Sequence, residues 1–129
     1  MEIALRSALI AWLAADPALS AQLNAVTEEA PSRTALPWLA IAASASADWS
    51  AKDRAGREVR IALELHCRGD RPDSAATLVG AIESRIASLP SAQGGFQVVT
   101  ATFLRARAEQ RAANTRAILI EYRFRVLAD

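Results

Sequence analysis

The segments LPWLAI at residues 36–41 and DWSAKDRAGREVRI at residues 48–61 determine how the chain is interpreted. The first begins an apolar run that continues to Ala45 and predicts a strand covered on both sides. The residues from Ser46 to Gly56 are polar and predict a connection to a second strand. This connection carries charges and a tryptophan but no catalytic constellation, which is typical of a protein that works through its surfaces.

The second strand is predicted at residues 58–67, where side-chain character alternates with a period of two. One face of this strand is apolar and is predicted to lie in the core, and the other is polar and is predicted to lie in solvent or at an interface. Two longer strands are predicted at residues 96–108 and 115–127, joined around residues 110–114. The apolar residues of the first change parity, which predicts a bulge or two-sided burial.

Apolar residues at helical spacing predict two main helices. One covers residues 2–15, and the other covers residues 75–89 with Asp73 or Ser74 as its N-cap. Asp16-Pro17 predicts one or two further helical turns. A short edge strand is expected around Val26.

The predicted order of elements is α-β-β-α-β-β. It predicts an α+β fold in which an antiparallel sheet of about four to five strands has two main helices packed on one face. A chain of 129 residues without internal repeats or low-complexity runs fits one domain over residues 1–129.

Composition and charge restrict the classes of partner. The 15 basic and 14 acidic side chains give a net charge of +1, which argues against global attraction to nucleic acid but leaves open a local basic stripe. The first residues lack the pattern of a signal peptide or a membrane span, so a cytoplasmic protein without a membrane partner is expected. Cys67 is the only cysteine, which excludes an internal disulfide and a cysteine metal cluster.

The residues with catalytic potential are poorly placed for chemistry. His66 and Cys67 are adjacent on a predicted strand and therefore point to opposite faces, so a thiolate–imidazole pair is not expected. Solvation in a loop explains Glu28-Glu29 at least as well as acid–base catalysis does. The sequence predicts no catalytic, cofactor-binding or metal-binding residue, no cofactor, and no enzymatic activity.

Four arginines are the first candidates for an interface or a pore lining. Arg105 and Arg107 share one face of their predicted strand, and Arg123 and Arg125 share one face of its hairpin partner. A closed hairpin would bring them into one basic patch, with two glutamates beside it. The alternative is an ordinary solvated sheet face. Phosphate attraction needs only positive charge in the right place, so the patch could lie near DNA.

The polar connection holds the second group of candidates. It comprises Asp48, Trp49, Lys52, Asp53 and Arg54. A tryptophan in a polar loop either lies back on its own core or serves as an interface anchor. Both interpretations remain open for Trp49.

The order and spacing of these segments resemble the tail-completion family of siphophages and gene transfer agents, whose members act as tail terminators. The resemblance covers nearly the whole chain. It runs through the opening helix with Asp16-Pro17, Leu36-Pro37-Trp38-Leu39, the charged loop with residues 48–50 and 56–59, the helix at residues 75–89, and the closing strand at residues 120–123. His66-Cys67 is a departure, because relatives often carry an aromatic residue there.

The resemblance implies a non-enzymatic ring, commonly a hexamer, that caps the growing tail tube. Such a ring stops polymerisation of the tube protein and presents a surface to the head connector. The implied partners are other copies of the chain, the tail tube protein, the head connector or stopper protein, and DNA that passes through the lumen without sequence specificity. The protein would assemble in the cytoplasm and then form part of a phage-like particle.

Three other functions stay open on the residues alone. One is a head-side neck or stopper component with a similar small α+β fold. Another is a nucleic-acid-binding module that uses the hairpin arginines. The last is a small hydrolase whose site is assembled from scattered residues.

Overall fold

Three helices and six strands make up the chain, which a computed structural model describes over residues 1–129. In chain order they are α1 (Glu2–Ala14), α2 (Pro17–Gln22), β1 (Val26–Thr27), β2 (Trp38–Asp48), β3 (Gly56–Arg68), α3 (Pro72–Ala87), β4 (Ala92–Gln93), β5 (Phe96–Arg111) and β6 (Thr115–Ala128). No helix is both long enough and apolar enough to cross a bilayer.

The six strands form one sheet in the order β1-β2-β3-β6-β5-β4, which curves into a half-barrel. β1 runs parallel to β2, and every other pair is antiparallel. The α+β class is confirmed, but a wholly antiparallel sheet of four to five strands in the order α-β-β-α-β-β is wrong. β1 is the short edge strand expected around Val26, whereas β4 was not expected because a pairing of two residues is too short to leave a periodic signal.

The hydrophobic core lies between the helices and one face of the sheet. Leucines spaced every four residues anchor α1, because that spacing places them on one side of a helix. Alternate residues of β3 and β6 complete the core together with α3. The fully buried side chains of α1, α3, β3 and β6 include Leu5, Leu9, Leu13, Val59, Leu65, Ile82, Ile120, Phe124 and Val126. Helices on one face of the sheet were therefore predicted correctly.

β2 differs from its prediction in burial and in length. Residues 38–41 are buried, whereas residues 42–48 are exposed or half-buried, so two-sided coverage to Ala45 is wrong. The register shifts between Ile41 and Ala43, and β1 pairs only with Leu39 and Ala40. The strand continues to Asp48, which shortens the polar connection to residues 49–55.

Two features in the second half of the chain, a bulge in β5 and the start of α3, depend on backbone geometry. β5 has register shifts between Val98 and Thr100 and between Phe103 and Arg105, which confirms the predicted bulge. α3 begins with Arg71 at the N-cap position and proline in the first turn, so a cap at Asp73 or Ser74 is wrong. The fixed φ of Pro72 suits the first helical position, which starts the helix earlier than the side-chain pattern indicated.

Gly56 should be intolerant of substitution because β3 begins against the backbone of Trp49. A Cβ at this position would lie 2.4 Å from the Trp49 carbonyl oxygen and 2.7 Å from Leu127 Cδ2. We expect Gly56→Ala to lower the free energy of unfolding by about 1–3 kcal/mol in urea titrations. Gly80→Ala is the matched control, since a Cβ there meets nothing within 4 Å, and it should stabilise α3 by about 0.5–1 kcal/mol. Equal effects of the two substitutions would contradict this account.

Tyr122 should titrate late and report on the integrity of the core. Burial, helped by the charge of Glu83, raises the pKa of Tyr122 to about 12. The folded chain therefore keeps a proton that the unfolded chain loses near pH 10. The stabilisation from this group is complete below about pH 10 and disappears as the pH rises to about 12.

The chain has one tyrosine, so ultraviolet titration of tyrosinate follows Tyr122 alone. A midpoint near 10 would contradict the burial of its hydroxyl. Tyr122→Phe is the control variant, and its free energy of unfolding should fall less steeply across the same pH window.

Candidate functional site

The sheet face turned away from the helices, here called the open face, holds the four hairpin arginines singled out in the sequence. Its residues lie opposite one another on four neighbouring strands. Along each strand they alternate with residues that face the core. They are Trp38, Ala40, Ala43, Ala45 and Ala47 on β2; Glu58, Arg60, Ala62, Glu64 and His66 on β3; Ala117, Leu119, Glu121, Arg123 and Arg125 on β6; and Thr100, Thr102, Arg105, Arg107 and Glu109 on β5.

Ion pairs cover the β5 side of the open face. Arg105 contacts Glu121 across the strand pair, and the hydrogen bond that it donates lowers the pKa of that carboxyl. Glu109 forms ion pairs with Arg107 at 3.0 Å and with Arg111 at 2.8 Å. The arginines of β5 are largely exposed, so these pairs hold side chains in place but add little stability.

A second group of charges lies between β6 and β3 and is less exposed. Glu58 is 3.1 Å from Nε of Arg125 and 3.8 Å from Nε of Arg123. The Nε atom of Arg123 is buried and has no hydrogen-bond partner. Glu58 therefore compensates two partly buried guanidinium groups. Arg60 lies beside this group, exposed and without an ion pair.

The structure brings the four predicted arginines onto one face, each with a carboxylate within ion-pair distance. Glu109 and Glu121 lie beside them, as the hairpin geometry indicated. The sequence interpretation missed Glu58, because only the long-range pairing of β3 with β6 places it there. The parity of Glu58 on its strand was the available signal. The face thus carries ion pairs between arginines and glutamates, here called the charge ladder, and not a patch of unpaired arginines.

The polar connection meets this ladder through one contact. The ring of Trp49 is half-buried, and the guanidinium of Arg125 lies 5.6 Å from its centroid. Trp49 therefore lies back on the open face of its own sheet. Arg54 donates a hydrogen bond to the Ala128 carbonyl at 2.8 Å, which ties the connection to the end of β6.

The tip of the connection projects outward. Lys52 and Asp53 are exposed and make no ion pair, whereas Asp48 accepts a hydrogen bond from Ser50 at 2.7 Å. The two groups of predicted residues thus meet at Arg125 and Trp49, and the tip residues stand apart from the ladder.

His66 and Cys67 lie on opposite faces, as their adjacency predicts. His66 stacks on Trp38 with ring centroids 4.0 Å apart and contacts Glu64 at 2.5 Å on the open face. Cys67 is buried on the core side, where burial raises the pKa of its thiol. Trp38 is buried as expected, although on the open face and not among the residues of the core.

The three main surface depressions are open to solvent and are lined by none of the candidate residues. One of about 290 Å³ lies beside Cys67 and is lined by Arg68, Arg71 and Leu78. No group of three or more histidine, cysteine, aspartate or glutamate side chains is arranged to hold a metal ion. The open face can bind through charge and shape, and these are the interactions its residues provide.

A sequence profile described as "Tail completion protein gp17" matches residues 7–127, nearly the whole chain. The chain belongs to this tail completion family. Membership places it among the structural proteins of phage-tail assembly. The resemblance noted in the sequence is confirmed.

The fold is shared with a component of a virus-like particle. Among 17 matching chains of solved structures, one comes from a structure described as "Virion of native gene transfer agent (GTA) particle". It superposes with a TM-score of 0.79 at 23% identity, over 96% of this chain and 95% of that chain. No curated protein sequence matches significantly. The solved structure shows that both chains have the same fold.

Removing the carboxylate that pairs with two partly buried arginines should cost more stability than removing one that pairs with two largely exposed arginines. We expect Glu58→Gln to lower the free energy of unfolding by about 1–2 kcal/mol, because Arg123 and Arg125 lose their partner while partly buried. Glu109→Gln is the matched control and should change it by less than about 0.5 kcal/mol, since its arginines are largely exposed. Chemical denaturation measures the free energy of unfolding of both variants. A larger loss for Glu109→Gln than for Glu58→Gln would contradict the roles assigned to the two carboxylates.

Proposed function

We propose that the chain is a tail terminator. Several copies, as a hexamer, form a ring that caps the end of the tail tube, stops polymerisation of the tube protein and joins the tube to the head connector. The observation that carries this proposal is the match of the tail completion profile over residues 7–127. The fold shared with a chain of a gene transfer agent virion supports it.

The shape of the subunit suits a cap because its two strand ends differ. The connection at residues 49–55 and the end of β6 lie together at one end, where Gly56 pairs with Leu127. The β5–β6 turn at residues 112–114 lies at the other end, where the Gly69 amide donates to the Asn114 carbonyl at 2.8 Å. A cap needs one surface for the tube and a different surface for the head side, and these two ends supply unlike surfaces.

The open face suits the wall of a DNA channel. Arginines outnumber glutamates on it, so it attracts phosphates without reading bases. The ion pairs reduce that attraction, because each of the four hairpin arginines already has a carboxylate partner. A weakly attractive wall lets DNA pass through. The same pairing makes a dedicated nucleic-acid-binding module the weaker interpretation.

The proposal is tested by adding the chain to purified tail tube protein during tube assembly and measuring tube length by electron microscopy. Tubes should stop growing and carry the chain at one end. Tubes of unchanged length without bound chain would overturn the proposal. Binding to the purified connector alone, without binding to the tube, would instead support a head-side stopper.

Arg105→Gln with Arg107→Gln removes two arginines that face the proposed channel. Their loss should lower the affinity for duplex DNA and flatten its dependence on salt, with a slope smaller by about 1–2. Titration of labelled duplex at several salt concentrations measures this. An unchanged slope would remove the open face from contact with DNA.

A further inference from the structure

Both edges of the long sheet are unpaired over much of their length. β1 covers only residues 39–40 of β2, which leaves residues 42–48 without a partner strand on that side. β4 covers only residues 96–97 of β5, which leaves the outer edge of β5 free from Val99 to Arg111. Long open edges attract further strands, and natural proteins usually shorten or cover them.

We propose that the β5 edge of one copy pairs with the β2 edge of the next copy, so that the sheet continues from subunit to subunit. This inference rests on the ring proposed above and specifies the surface that closes it. Each subunit uses two different edges, which is the head-to-tail contact that produces a closed ring when the rotation between copies is right.

The direction of the strands favours this junction. The four long strands β2, β3, β6 and β5 alternate in direction. Because their number is even, β2 of the next copy lies antiparallel to β5 when both copies turn the same face inward. The open faces of all copies then form one continuous surface.

Exposed apolar side chains mark both edges. The three large apolar residues with more than 40% exposure are Ile3, Val99 and Phe103. Val99 and Phe103 lie on β5, where Phe103 contacts Tyr122 on the helix side of the sheet. Ile3 lies at the start of α1 on the helix side and lines the same depression as Ser46 of β2, and its neighbour Glu2 accepts a hydrogen bond from Ser44 of β2 at 2.6 Å. The proposed junction brings Phe103 of one copy towards Ile3 of the next and covers both.

Side-chain size and charge also distinguish the two edges. The β2 edge carries alanines and serines at residues 42–47, which leave room on both faces. The β5 edge carries long side chains, including Arg105 and Arg107. Pairing two β5 edges would set arginines against arginines, which is unfavourable. Pairing two β2 edges would bring small side chains together and bury little apolar area. The unlike pair is therefore favoured.

The test uses one charge at each edge and a matched charge elsewhere. Ile3→Glu and Phe103→Glu each place a carboxylate in the junction, and each should raise the dissociation constant between copies at least about tenfold. Ser84→Glu on the exposed side of α3 is the control and should assemble like the unmodified chain. Native mass spectrometry and sedimentation over a range of concentrations measure the assemblies, and thermal unfolding verifies that each variant folds.

Mixing the two single variants gives the sharpest outcome. Ile3→Glu retains a sound β5 edge and Phe103→Glu retains a sound β2 edge, so the mixture should form one junction and stop at heterodimers. A chain that carries both Ile3→Arg and Phe103→Glu should regain rings, because opposite charges then meet at every junction.

The outcomes separate the edge pairing from the ring itself. Rings of unchanged mass and stability from both folded single variants would overturn the edge pairing and leave the proposed ring standing on another surface. Wild-type chain that caps tubes while no variant affects its assembly would overturn the edge pairing in the same way. Wild-type chain that stays monomeric at every concentration and fails to cap tubes would overturn the ring and the edge pairing together.

Discussion

The pairing of β3 with β6 is the constraint on which the other features depend. It runs from Gly56 opposite Leu127 to Arg68 opposite Thr115 without a register shift. Side chains alternate along both strands, so this register places the core residues under the helices and the charge ladder on the other face. A slip by one residue would expose Phe124 and bury Arg123. The register therefore sets the stability of the subunit and the character of its open face together.

The two faces and the two edges of the sheet have different roles. The helix face provides the stable core and contains no buried charged side chain. The open face holds paired charges in fixed positions, and the edges leave backbone groups free for a partner. Rigid placement matters for the proposed ring, because a ring closes only if every copy presents the same angle to its neighbour.

The sequence alone predicted those helices and strands in which apolar residues recur at a regular spacing. The alternation at Val59 to Cys67 and the leucine spacing of α1 were sufficient, because each recurs several times. The alanine-rich half of β2 was predicted to be covered on both sides, which is wrong. Small residues fit buried and exposed strands equally, so they do not indicate burial. The contact of Glu58 with Arg123 and Arg125 required knowledge of which strands are neighbours. That information resides in long-range packing and not in any local window.

Electron cryomicroscopy of tails assembled with the chain can show where the chain lies and how its copies contact one another. We expect a single ring at the end of the tube, with the open faces lining a channel continuous with the tube lumen. We also expect unlike sheet edges in contact between neighbouring subunits. Density for the chain along the outer wall of the tube, or tube ends of regular length that lack it, would contradict the account.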